Sequence, residues 1–283
     1  MKRLGPRAPH RGSAAEARDL HVAAAALFAS VLVDSAIEHY RGSFENPAMF
    51  APLATSALGL AAGAGAALGA RAPSSARAAT FALALVVGAA GLGFHLYNVA
   101  KRPGGLDWLN LFYAAPVGAP AALALAGVIG AAADHLAADD GRSGAPRIAG
   151  APAGRALCAV TAAGLAGTVG EVALLHFRGS FQNRFMWLPV GLPPVAAVLT
   201  AHAAAERGTP HGRRFARAWL RLTAWLGIGG VAFHAWGVSR AMGGWSNWRQ
   251  NVLDGPPLPA PPSFSALALA GLAALRLRDR DDG

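Results

Sequence analysis

The residues of this chain best suited to chemistry are four histidines in two recurring settings. His39 stands in HYRGSFEN, residues 39–46, and His176 in HFRGSFQN, residues 176–183. His95 in GFHLY and His234 in AFHAW form a second couple. An acid lies five residues ahead of each histidine of the first couple, as Asp34 and Glu171. An arginine lies two residues behind, as Arg41 and Arg178, and a methionine ten behind, as Met49 and Met186. Imidazoles from neighbouring helices serve as axial ligands of haem iron, and imidazole with thioether suits copper. The pattern points to haem b or copper held by His39, His95, His176 and His234, serving membrane electron transport. Asp34, Glu171, Met49 and Met186 are secondary ligand candidates, and Arg41 and Arg178 are placed to meet propionates. The absence of Cys-x-x-Cys-His excludes covalent c-type attachment. Zinc is a weaker third choice, because no compact pair of histidines occurs at zinc-site spacing.

A competing reading needs no cofactor. Histidines at a membrane interface can donate to loop carbonyls, and methionine there is an ordinary packing residue. Asp34 and Glu171 can be neutralised by Arg41, Arg178, Lys101 or Arg240. Asp34 and His39 also lie about 140° apart around a regular helix, so they share no ligand unless the helix distorts. The protein is then a non-catalytic anchor that docks a periplasmic redox partner, or a small-anion carrier. The apolar central thirds of the spans weigh against a carrier. Patterns for serine nucleophiles, phosphate loops and paired catalytic carboxylates do not occur.

The elements that position these residues are membrane helices. The chain is 54% hydrophobic and 14% charged, against about 25% charged in soluble domains. Its apolar runs are about as long as a bilayer crossing requires. Eight spans are expected, at roughly 21–40, 49–70, 79–100, 111–134, 155–177, 186–205, 216–238 and 259–276. Pro189, Pro193 and Pro194 predict an irregular sixth span. The run after residue 20 lacks a cleavage site and reads as a retained helix rather than a signal peptide.

Alternating the loops puts 18 of the 25 lysines and arginines on one side and 7 on the other. That bias predicts both termini in the cytoplasm of a bacterial inner membrane. The net charge of +10 lies in short loops, without the basic face that nucleic acid requires, so no nucleic-acid partner is expected. Cys158 lies in an apolar run and reads as a small core residue.

The recurring motifs make the expected fold an all-α membrane protein of two tandem, parallel four-helix repeats. They occupy residues 21–138 and 155–277, with a basic tail at 1–20, a linker at 139–154 and a C-terminal tail at 278–283. ALALAG at 122–127 and again at 266–271 aligns the last helix of each. Within the doubled phrase, Gly42 and Gly179 suggest a turn with positive φ. Asn46 and Asn183 suggest caps on the next helix, and Phe44 and Phe181 anchors for the turn.

Overall fold

The computed structural model describes residues 13–69, 74–113, 116–139, 145–205 and 209–281. The first 12 residues of the expected basic tail, residues 140–144 of the linker and residues 282–283 lie outside the described residues. The protein is almost entirely helical. Its helices are α1 (Ala14–Arg41), α2 (Phe50–Ala67), α3 (Ser74–Ala100), α4 (Trp108–Tyr113) and α5 (Gly118–Ala137). They are followed by α6 (Ala153–Arg178), α7 (Leu188–Ala204), α8 (Pro210–Arg240), α9 (Trp248–Asn251) and α10 (Pro262–Asp281). A two-residue antiparallel ladder, Arg147–Ile148 with Ala151–Pro152, precedes α6.

Six helical segments are long and apolar enough to cross a membrane: Ala14–Arg41, Pro47–Ala67, Ser74–Ala100, Gly118–Ala137, Ala153–Arg178 and Arg184–Ala204. The chain is therefore a multi-pass, all-α membrane protein. Helices α8 and α10 are less apolar for a visible reason. Arg213, Arg214, Arg217 and Arg221 crowd the first turns of α8, and Arg276, Arg278, Asp279 and Arg280 the last turns of α10.

The core lies where α1, α5, α6 and α10 meet. Leu20, Leu27 and Phe28 of α1, Leu123 and Ile129 of α5, Leu157 and Leu165 of α6, and Leu267 and Leu275 of α10 are all buried in one cluster. Around it, α2 and α3 pack on α1 and α5, while α7 and α8 pack on α6 and α10. These flanking helices turn large apolar side chains outward, among them Leu58, Val86, Val198, Trp225 and Ile228. Such an apolar exterior suits contact with a lipid bilayer.

Close backbone approach holds the flanking helices in place. A Cβ on Gly88 of α3 would lie 2.7 Å from the Pro120 carbonyl oxygen of α5. A Cβ on Gly227 of α8 would lie 2.7 Å from the Pro261 carbonyl oxygen, just before α10. The Ser30 hydroxyl of α1 donates to the Pro259 carbonyl at 2.5 Å and lies 3.1 Å from the Ser263 hydroxyl, tying α1 to the start of α10.

Several local expectations change. The stretch expected as a single span at 111–134 is divided between α4 and α5, with Pro116 lying between them and unable to donate a helical hydrogen bond. Helix α7 carries Pro193 and Pro194 inside one helical segment. Helix α1 begins at Ala14, seven residues earlier than the expected span, and carries Glu16 and Asp19 in its first turns.

Candidate functional site

All four histidines lie in the last two turns of long helices: His39 in α1, His95 in α3, His176 in α6 and His234 in α8. Each ring is held in the same way. Nδ1 of His39 donates to the Met49 carbonyl at 2.7 Å, and Nδ1 of His176 to the Met186 carbonyl at 2.7 Å. Nδ1 of His95 donates to the Pro116 carbonyl, and Nδ1 of His234 to the Pro257 carbonyl at 2.9 Å. A carbonyl oxygen only accepts, so each Nδ1 carries the hydrogen. In the neutral ring Nε2 then bears the lone pair. Among the described residues no hydrogen bond engages any of the four Nε2 atoms.

The rings fall into two couples. His39 and His95 lie close enough for their charges to interact, and so do His176 and His234. Among the described residues, no three His, Cys, Asp or Glu side chains gather as a metal-ion site would need.

The loops that supply the carbonyls are themselves fixed by side chains. Asn46 Oδ1 accepts from the Ala48 amide at 2.9 Å, and Asn183 Oδ1 from the Phe185 amide at 3.0 Å, as the expected caps. Asn110 donates to the Pro103 and Gly105 carbonyls, and Asn251 to those of Met242 and Gly244. Phe44 stacks on Phe50 with centroids 4.5 Å apart, and Phe181 on Trp187 at 4.1 Å. The glycines do not adopt the expected conformation. Gly42 and Gly179 have φ of −82° and −78°, and the left-handed residues are Ser43, Phe44, Ser180 and Phe181. A Cβ on Gly179 would meet the Met186 methyl at 2.9 Å, and one on Gly42 the Met49 methyl at 3.5 Å. At Gly42 that distance is an ordinary contact, and at Gly179 the flexible end of Met186 would have to shift. The two methionines thus present a backbone oxygen to histidine and a methyl to glycine.

The arginines and acids have distinct partners. Arg41 pairs with Glu38 at 2.9 Å and reaches Asp254, beyond α9, at 3.3 Å. Arg178 lies 5.8 Å over the rings of both Phe112 and Tyr113 of α4. Tyr40 packs on Trp248 at 6.2 Å, and Phe177 on Trp108 at 5.9 Å. Each doubled phrase is therefore clasped by the loop that belongs to the opposite group of helices. Glu171 lies against the backbone of Gly118 at the start of α5. Its carboxylate fills the space where a Gly118 side chain would stand. Asp34 and Glu171 lie within electrostatic reach of each other. Neither is ion-paired to Arg41, Arg178, Lys101 or Arg240 among the described residues.

The main ion-pair networks lie at the other end of the bundle, where sequence reasoning placed no site. Arg77 of α3 donates to Asp134 of α5 at 2.9 Å, with His21 of α1 at 3.4 Å from the same carboxylate. Glu16, buried at the start of α1, accepts from Arg276 at 3.3 Å and Arg280 at 2.8 Å. Arg213 and Arg217 share Asp279. The signal in the sequence was an acid in the last turns of α5 and α10 together with basic residues in the first turns of α3 and α8. No protein-family model, curated protein or solved structure matches this chain.

Proposed function

We propose that the protein is a bacterial inner-membrane redox protein of eight spans, built as two parallel four-helix copies, with one haem b bound by each histidine couple. The observation that carries this reading is the common setting of the four imidazoles, each with Nδ1–H on a backbone carbonyl and Nε2 unengaged. A ligating histidine characteristically donates its other ring nitrogen to a carbonyl or carboxylate, which fixes its orientation and raises its basicity. Haem is favoured over copper by ligand number. Each couple supplies two imidazoles and, among the described residues, no group of three His, Cys, Asp or Glu forms there, which suits an iron whose macrocycle brings the other four ligands. Copper would need further protein donors, and the methionine methyls face glycine.

The tandem reading rests on contacts that recur at nearly constant spacing. The His39–Met49 bond returns 137 residues on, and the His95–Pro116 bond recurs as His234–Pro257. Gly88 against Pro120 returns as Gly227 against Pro261. Pro116, Pro120 and Asn110 recur at a spacing of 141 residues, as Pro257, Pro261 and Asn251. The doubled ALALAG lies 144 apart and is therefore out of step with the contacts. Both termini lie in the cytoplasm on this reading, with the histidine end facing the periplasm and a soluble electron partner. A second reading, a cofactor-free docking subunit, draws on the same hydrogen bonds, because they also tie each loop to its helix.

The test is the optical spectrum of protein purified after expression with added haem precursor. A Soret band that shifts on reduction is expected, reduced by about half in His95→Ala and in His234→Ala and lost when both are replaced. Absence of the band, with copper retained stoichiometrically and released by the same substitutions, selects copper. Absence of both leaves the docking reading.

A further inference from the structure

We propose that the first three turns of α8, at the bundle end opposite the histidines, form a binding surface for the phosphate headgroup of an anionic phospholipid. Arg213, Arg214, Arg217 and Arg221 lie within nine residues of one helix. Arg217 feels the charge of the other three and of Arg276 from α10. The acid that faces this group is Asp279, which is shared by Arg213 and Arg217. Arg276 and Arg280 are committed to Glu16 and Asp19 on α1. Arg214 and Arg221 are exposed and have no ion-pair partner among the described residues. They are spaced seven residues apart, two turns along one face of the helix.

Crowded like charges at the edge of a low-dielectric medium repel unless a counter-anion lies among them. Chloride from bulk water supplies that only weakly. The same turns of the helix carry the anchor for a lipid. Phe215, Leu222 and Trp225 are 52%, 50% and 69% exposed, interleaved with Arg214 and Arg221. Arginine heads beside exposed aromatic and aliphatic side chains are the chemistry of a membrane interface, with the guanidinium at the phosphate and the rings among the upper acyl carbons. An anionic lipid satisfies both halves of this surface. A free phosphate satisfies one.

Binding is measured by titrating phosphatidylglycerol or phosphatidylcholine into the full-length protein in a non-ionic detergent and following bound lipid by native mass spectrometry. Phosphatidylglycerol is expected to bind and phosphatidylcholine not. The double variant Arg214→Gln, Arg221→Gln is expected to weaken phosphatidylglycerol about thirty-fold, at roughly a factor of five per arginine. The double variant Arg214→Lys, Arg221→Lys is expected to retain most of the binding, which separates lost charge from lost folding. Arg240→Gln with Arg249→Gln, at the histidine end, is expected to bind as the unaltered protein does. The proposal fails if the glutamine variant binds phosphatidylglycerol as tightly as the unaltered protein, if the two lipids bind equally, or if inorganic phosphate at the same concentration displaces the lipid completely. None of these outcomes depends on a haem being present.

Discussion

Replacing Gly88 with alanine tests the packing that holds His95 in place. The added methyl would sit 2.7 Å from the Pro120 carbonyl oxygen and closer still to the Ala124 amide. That is about 0.7 Å short of an ordinary van der Waals contact to the oxygen alone, and neither partner is a flexible side chain. Helix α3 must therefore move off α5. Overpacking of this kind costs about 1–3 kcal/mol, while exchanging glycine for alanine within a helix returns up to about 1 kcal/mol. A net loss of about 1–2 kcal/mol is expected, or roughly 2–8 °C in the unfolding midpoint. Gly93→Ala is the control, because a Cβ there meets nothing within 4 Å. It should leave the midpoint unchanged or raise it slightly. Tryptophan fluorescence on heating in detergent reports both, since the chain has 7 tryptophans. His95 lies two turns beyond Gly88 on the same helix, so the same displacement should weaken its bond to Pro116. Equal midpoints for Gly88→Ala and Gly93→Ala would refute the close approach and the positioning argument with it.

Gly227→Ala, against the Pro261 carbonyl, should behave as Gly88→Ala does and is read by the same melt. Glu16→Ala removes a buried carboxylate that accepts from Arg276 and Arg280; with both arginines more than a third exposed, a loss of about 1–3 kcal/mol is expected in the same assay. Met49→Leu retains the carbonyl that His39 uses, so any bound haem should show an unchanged spectrum; a lost band would return the sulfur to the ligand set. Arg178→Gln should cost about 0.5–1 kcal/mol by removing its contact with Phe112 and Tyr113, whereas Arg178→Lys should cost less. Reporter fusions at Ser43, Gly105, Ser180 and Gly244 should all give a periplasmic signal, and a cytoplasmic signal from any one of them would overturn the eight-span topology.

Membrane class and helix content were legible because the bilayer imposes them locally. A run of about 20 apolar residues has few other fates. The Asn46 and Asn183 caps were equally local, since each accepts from an amide two residues away. Partner choice was not legible. Nothing near His95 in the sequence names Pro116 as its acceptor, because that contact is set by how α3 crosses α5. Gly42 and Gly179 were read as turn residues needing positive φ, yet the left-handed positions are the Ser and Phe that follow each of them. The repeated ALALAG stands 144 residues apart, out of step with the 141 between Pro120 and Pro261. In Ala- and Leu-rich helices such strings recur by composition, while Pro120 and Pro261 mark the packing register. The His21, Arg77 and Asp134 cluster went unseen because its members come from three helices.

The clasp between each doubled phrase and the opposite loop bears on how the chain came to be assembled. Arg41 and Tyr40 lean on Asp254 and Trp248, whereas Arg178 and Phe177 lean on Tyr113 and Trp108. On the two-copy reading, a half-length chain with the same contacts would meet its phrase through the loop of a second molecule. Joining two such half-length chains end to end would make that exchange intramolecular. Within one chain the two clasps need not be identical. One is now an ion pair and the other a guanidinium on aromatic rings. On that reading the two histidine couples stand in unlike surroundings and would be free to differ in their properties.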